Sequence, residues 1–230
     1  MTKFSSDLRI FAAPLLILGL NLTFSEADAG ESRLSSMVGV PLGLTPDAAE
    51  TAILKGDSRY QPNPWTEGGL PDGTTFKWDI TYGIPGASSV LPADNVKMTF
   101  SSPASGNKLT RIRRELTNPE FLYSASALPT FKATVDALIQ EYGEPEHVDR
   151  KQLTSHDKSV TFYWHTGSVP FDPGKLPEPP CFDRNFRAEC GTSLKIYLQS
   201  QNDRLSMMLA ELIDHPATIA GYNADKAQTK

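Results

Sequence analysis

Cys181 and Cys190 are the only cysteines in the chain, and they stand in one proline-rich, loop-like stretch. Joined, they would close a loop of about ten residues, worth about 2–3 kcal/mol on the chain-entropy model. The alternatives are two free thiols or a metal site short of ligands. Between the cysteines, Phe182, Arg184, Phe186 and Arg187 alternate aromatic and cation. Both residue types are enriched at interface hot spots, and a stapled loop presents them at a lower ordering cost. These four are the candidate partner contacts. Trp65, in an earlier loop, is a second exposed-aromatic candidate.

Other chemistries find less support. His147, His156, His165 and His215 show no His-x-x-x-His spacing, so no two ligands share a helix face. His165 falls on the polar side of a strand pattern, within reach of Tyr197 or Lys195, and is expected to be solvated. His147 and His156 are expected to be exposed. No Gly-x-Ser-x-Gly stretch marks a serine nucleophile. Glu144 and Glu146 lack an apolar setting that would raise a carboxyl pKa. Phosphate-cradling glycine loops and Asp-x-Asp-x-Asp calcium loops are absent from the sequence. No catalytic, metal or cofactor-binding residue is therefore assigned, and no cofactor is expected. On a strand, Arg111 and Arg113 would share one face and could meet an acidic partner, with Glu115 nearby as the ordinary counter-charge.

The chain starts like an export signal. Lys3 and Arg9 precede the largely apolar run 10–24, and Ala27-Asp28-Ala29 fits a cleavage site. The run is about 15 residues, short of the roughly 20 a bilayer span needs. Cleavage after Ala29 would leave a chain of about 200 residues, enough for one domain or two small ones. The whole chain has 22 basic and 27 acidic residues, net −5. The leader takes away Lys3, Arg9, Asp7, Glu26 and Asp28, leaving a net charge of −4. A mildly acidic surface disfavours bulk nucleic-acid binding. An exported chain also meets an oxidising compartment, which favours the Cys181–Cys190 bridge.

Elements that could position these residues follow from periodicity. Phe131, Val135, Leu138, Ile139 and Tyr142 recur at helical steps, after Thr130 and before Gly143-Glu144-Pro145, so a helix is predicted over 130–142. Thr45-Pro46-Asp47 opens a shorter helix ending near Lys55-Gly56. Alternation predicts strands at 78–82, 96–101, 109–117, 160–165 and 194–200. Residues 205–213 fit either a strand or a helix; the preceding turn at Asn202-Asp203 favours a strand. Residues 57–75, 83–95, 146–158 and 166–192 read as loops, and 217–223 as a short terminal helix.

The halves share an order of helix, loop and three strands, which predicts an α+β fold of two similar units, each one helix on a small antiparallel sheet. The boundaries are 1–29 for the signal peptide, 30–118 for the first unit and 119–230 for the second, which carries the disulfide loop. Leu42-Gly-Leu-Thr-Pro-Asp47 resembles the entry motif of exported outer-membrane assembly lipoproteins of the SmpA/OmlA type and of the tandem-repeat β-lactamase-inhibitory-protein fold. Tyr142-Gly-Glu-Pro145 followed by Phe162-Tyr-Trp164 is similar to their helix-Gly-x-Pro and aromatic strand. The chain departs from the lipoproteins in lacking a lipobox cysteine, and from both groups in its long proline-rich loops. The resemblance implies a helix-on-sheet scaffold that binds other proteins. The expectation is a non-catalytic periplasmic or secreted protein with an envelope-protein partner; the alternative is a periplasmic hydrolase with a site between the units.

Overall fold

The computed structural model describes residues 33–70, 73–85, 92–117, 129–155, 157–172, 174, 179–183 and 185–228. The expected signal peptide, the connector between the two halves, His156 and Arg184 lie outside the described residues.

A small hairpin, β1 (Ser36–Met37) and β2 (Val40–Pro41), leads into α1 (Pro46–Gly56). Then come β3 (Gln61–Pro62), β4 (Thr66–Gly69), β5 (Thr75–Pro85), β6 (Pro92–Phe100) and β7 (Leu109–Thr117). The second half has α2 (Phe131–Tyr142), β8 (His147–Gln152), β9 (Lys158–His165), β10 (Thr192–Gln201), β11 (Arg204–Asp214) and α3 (His215–Gln228). The fold is α+β, and β3 to β11 form one sheet in the order β3-β5-β6-β7-β11-β10-β9-β8, with β4 also paired to β5. Every pairing is antiparallel.

Local chemistry accounts for the helix ends. Pro46 occupies the first turn of α1, where its missing N–H costs nothing. In α2 the Thr130 hydroxyl accepts the Ala133 N–H at 3.1 Å. Gly143 ends α2 at φ +84°, a conformation that suits glycine, while its N–H still reaches the Ile139 carbonyl at 2.8 Å. The β10–β11 turn has Asn202 and Asp203 at φ +50° and +57°, the left-handed pair a tight hairpin requires.

The core is a single layer between one sheet face and the helices. Cross-strand register aligns Ile80, Met98, Ile112, Leu212, Leu194 and Trp164 in one row over six strands. All six are buried, and they join Ala49 and Ile53 of α1 and Phe131, Leu138 and Tyr142 of α2 in one apolar cluster. Full burial of each large side chain stabilises the fold by about 1.5–3 kcal/mol. The strands after α1 and those after α2 meet where β7 pairs with β11.

Several expectations change. Residues 146–158 contain the edge strand β8. Its polar sequence hides it, because an edge strand places few residues in the core and β9 supplies its pairing. The expected loop 57–75 holds β3 and β4, and the 83–95 loop is shortened at both ends by β5 and β6. Helix α3 is longer than the expected 217–223. Residues 205–213 form a strand. At the β4–β5 register shift, Lys77 turns to the helix side, where it meets Asp47 and Trp65. Its neighbour Trp78 therefore emerges on the other face, 37% exposed, instead of joining Ile80 and Tyr82. Among the described residues, no helix is long and apolar enough to cross a membrane.

Candidate functional site

Cys181 and Cys190 are bonded to each other, and both are fully buried. The loop they close is held to the sheet by aromatic packing. Phe182 lies 5.0 Å from the Tyr163 ring, and Phe171, earlier in the loop, stacks 4.5 Å from His147. Strand β9 is consequently buried on both faces, so its Thr161-Tyr163-His165 side is roofed by the loop. Of the four candidate contacts, Phe182 points inward and is half-buried, while Phe186 is 42% exposed. Arg187 pairs with Asp183 at 2.7 Å. Arg184 lies outside the described residues. The loop thus offers Phe186 outward and uses Phe182 as its anchor.

The histidines depart from expectation. The His165 side chain is buried, with Nε2 2.9 Å from Glu146 Oε2, yet neither ring nitrogen has hydrogen-bond alignment. Half-buried His147 packs on Phe171. His215 is fully buried, with Nε2 2.9 Å from Ser193 Oγ. Its Nδ1 accepts the Arg187 N–H at 3.4 Å. Burial lowers its pKa, which favours the neutral ring. Nε2 and the Ser193 hydroxyl share one hydrogen bond, whose direction follows the ring tautomer. The pair is a clasp between β10, the disulfide loop and the start of α3. Trp65 is likewise no exposed platform: it is half-buried against Phe100, with ring centroids 5.5 Å apart.

A polar cluster that sequence reasoning missed lies on the helix side. Arg114 Nε donates to Asp94 Oδ1 at 3.0 Å and Nη2 to Oδ2 at 2.6 Å; the Tyr60 hydroxyl donates to Asp94 at 3.1 Å. Burial pushes the Tyr60 hydroxyl pKa well above its ordinary value. Glu141 of α2 stands in the field of Arg114, and burial raises its carboxyl pKa against the pull of Tyr142 and Arg114. The signal was present in the alternation: Ile112-x-Arg114-x-Leu116 and Asp94-x-Val96-x-Met98 each place one charge on an apolar face.

The opposite sheet face is open over β5, β6, β7, β11 and β10, except at the end where Ser193 and Ile213 are buried against the start of α3. Register sets Thr81, Lys97, Arg113, Glu211 and Lys195 in one row across these strands. Asn95, Glu115, Leu209 and Tyr197 form the next row, with Met207 and Gln199 beyond. Lys97 and Arg113 are exposed, and the others are partly accessible. Arg111 and Arg113 do share this face, as their spacing predicts. Lys97 pairs with Asp79 at 2.8 Å, and Arg111 Nε donates to Glu211 at 2.9 Å. Polar and apolar groups are interspersed over a rigid, hydrogen-bonded platform, which suits recognition of a macromolecule. Among the described residues, no cluster of three or more His, Cys, Asp or Glu side chains could hold a metal ion.

Comparison of the chain with protein-family models, with curated proteins and with solved structures finds no match in any of the three.

Proposed function

We propose that this is an exported, non-catalytic envelope protein, periplasmic or secreted, that binds a protein partner through the open face of its sheet. In this reading, residues 1–29 are removed on export. Units 30–118 and 119–230 are similar helix-plus-sheet modules, of the kind the resemblance to SmpA/OmlA-type and β-lactamase-inhibitory-protein folds implies. The observation that carries the proposal is the asymmetry of the sheet: α1 and α2 bury one face, while the other presents Lys97, Arg113, Leu209 and Tyr197 to solvent. The apolar members Met207, Leu209 and Tyr197 lie together in register on adjacent strands, a contact plate ringed by charge. The exposed Phe186 of the disulfide loop is an accessory contact. A hydrolase reading has its nearest candidate in Ser193–His215, a pair whose two members are both buried away from solvent.

The test places a photo-crosslinking residue at Tyr197 or, as a control, at exposed Thr51 on α1, in the full chain expressed in its native envelope. A discrete protein adduct is expected from position 197 alone. Equal labelling from both positions, or none from either, would sink the proposal.

A further inference from the structure

We infer that the row Lys97–Arg113–Glu211–Lys195 on the open face is the docking line for an extended acidic segment of the partner protein. The inference rests on the binding role proposed above and names the chemistry of what is bound.

Lys97 stands directly opposite Arg113 across β6 and β7, and Glu211 is opposite Arg113 on one side and Lys195 on the other. Neighbouring strands lie about 4.8 Å apart. Like charges directly opposite each other on a sheet are destabilising. A face that needed only to be wet would alternate its signs from strand to strand. Here Glu211 is the single carboxylate of the row, and Arg111 bonds it from the adjacent position. The Arg113 guanidinium has no ion-pair or hydrogen-bond partner among the described residues, and the Lys195 ammonium stands 5.9 Å from the Tyr163 ring centroid. The row has three cations to one carboxylate on a chain of net −5. Such a departure from the least costly pattern is expected where a surface is shaped for a partner.

The geometry selects among anionic partners. The uncompensated cations of this face lie on that one line: the row on one side bears Glu115 as its only charge, beside Leu209 and Tyr197, and on the other side Arg111 and Asp79 are paired with Glu211 and Lys97. A nucleic acid or an anionic membrane calls for a broad positive field. A line of cations flanked by Leu209, Tyr197 and Met207 fits a peptide segment with carboxylates on one side and apolar groups on the other. Arg113 can hold one of those carboxylates in a two-bond fork.

The experiment uses the full chain in its native envelope with a photo-crosslinker at Leu209, and sequences the captured peptide by mass spectrometry. The expected adduct is a segment rich in Asp and Glu. Arg113→Glu should lower its yield about tenfold, equivalent to about 1.4 kcal/mol, and Arg113→Lys should retain part of it. Unchanged urea midpoints would establish that the variants are folded. Capture of a neutral or basic segment, of nucleic acid or of a second copy of this chain would overturn the inference, as would a yield indifferent to Arg113→Glu. Failure of every open-face position to give any adduct would remove the binding role itself.

Discussion

Arg114 reaches along the helix side of the sheet to Asp94, making two near-parallel bonds of 3.0 and 2.6 Å in a setting where both side chains are almost sealed from water. Along β7, Ile112 and Leu116 flank Arg114 on the same face and are fully buried, so Arg114 is the one cation this strand turns toward the core. Arg111 and Arg113 face the open side.

Removing one member of a buried pair leaves the other charge without compensation, which costs about 3–5 kcal/mol. Arg114→Met and Asp94→Leu should each lower the unfolding free energy, read from urea titration, by that order. The double variant should recover part of the loss: the two charges vanish together, but the buried Tyr60 hydroxyl is left without its Asp94 acceptor. Arg113→Ala, at the neighbouring position but exposed, should change stability by less than about 0.5 kcal/mol. Equal losses for Arg113 and Arg114 would contradict the burial described.

Two groups make stability depend on pH with opposite signs. The folded His215 imidazole has its pKa pushed below 6.5 by burial. Its stabilising contribution is present above about 6.5 and is lost as pH falls through the folded value. Burial holds the Glu141 carboxyl above its ordinary 4.5. Its contribution is present below that value and is lost as pH rises through the folded one. Urea midpoints between pH 4 and 8 should show His215→Gln losing part of the acid-side decline. Glu141→Gln should be more stable than the parent at pH 8. A parental pH profile in both variants would count against these assignments.

The disulfide loop depends on a close backbone approach. A Cβ on Gly167 would fall 1.9 Å from the Glu189 carbonyl oxygen and 2.4 Å from the Cys190 carbonyl carbon, and backbone cannot move aside as a side chain can. Gly167→Ala should therefore cost about 1–3 kcal/mol, as overpacking does. Gly69 has open space around it, and Gly69→Ala is the matched control. Thermal unfolding of the two variants provides the comparison; a Gly167→Ala melt equal to that of Gly69→Ala would refute the close contact.

Phe182 and Phe186 are predicted to separate anchoring from display. Phe182→Ala removes the ring that packs on Tyr163 and should cost about 2 kcal/mol, below the range for a fully buried aromatic. Phe186→Ala should leave stability within about 0.5 kcal/mol. Limited proteolysis around residues 166–191 should accelerate for Phe182→Ala alone. Thiol labelling of the unreduced protein should find no free cysteine, and two reactive thiols would contradict the bond.

Much of this protein is decided by local pattern. Thr130 and Gly143 bound α2 through a side-chain cap and a left-handed glycine, both of which depend on neighbours in the chain. Strict alternation in β6 and β10 determines which of their residues can face a core, β7 follows a less regular pattern, and Asn202-Asp203 determines that β10 turns back into β11. The spacing of the two cysteines also suffices to suggest their bridge. Other features exist only through long-range pairing. Strand β8 has too few apolar residues to announce itself and is a strand because β9 pairs with it. His165 and Tyr163 look solvent-facing in sequence and are buried because a loop closed by a distant disulfide folds over them. The row of cations on the open face brings residues 97, 113 and 195 together by register, and no local periodicity encodes the register between separate strands. Periodicity acts over a few residues through backbone geometry; which strands become neighbours depends on burying all their apolar faces at once.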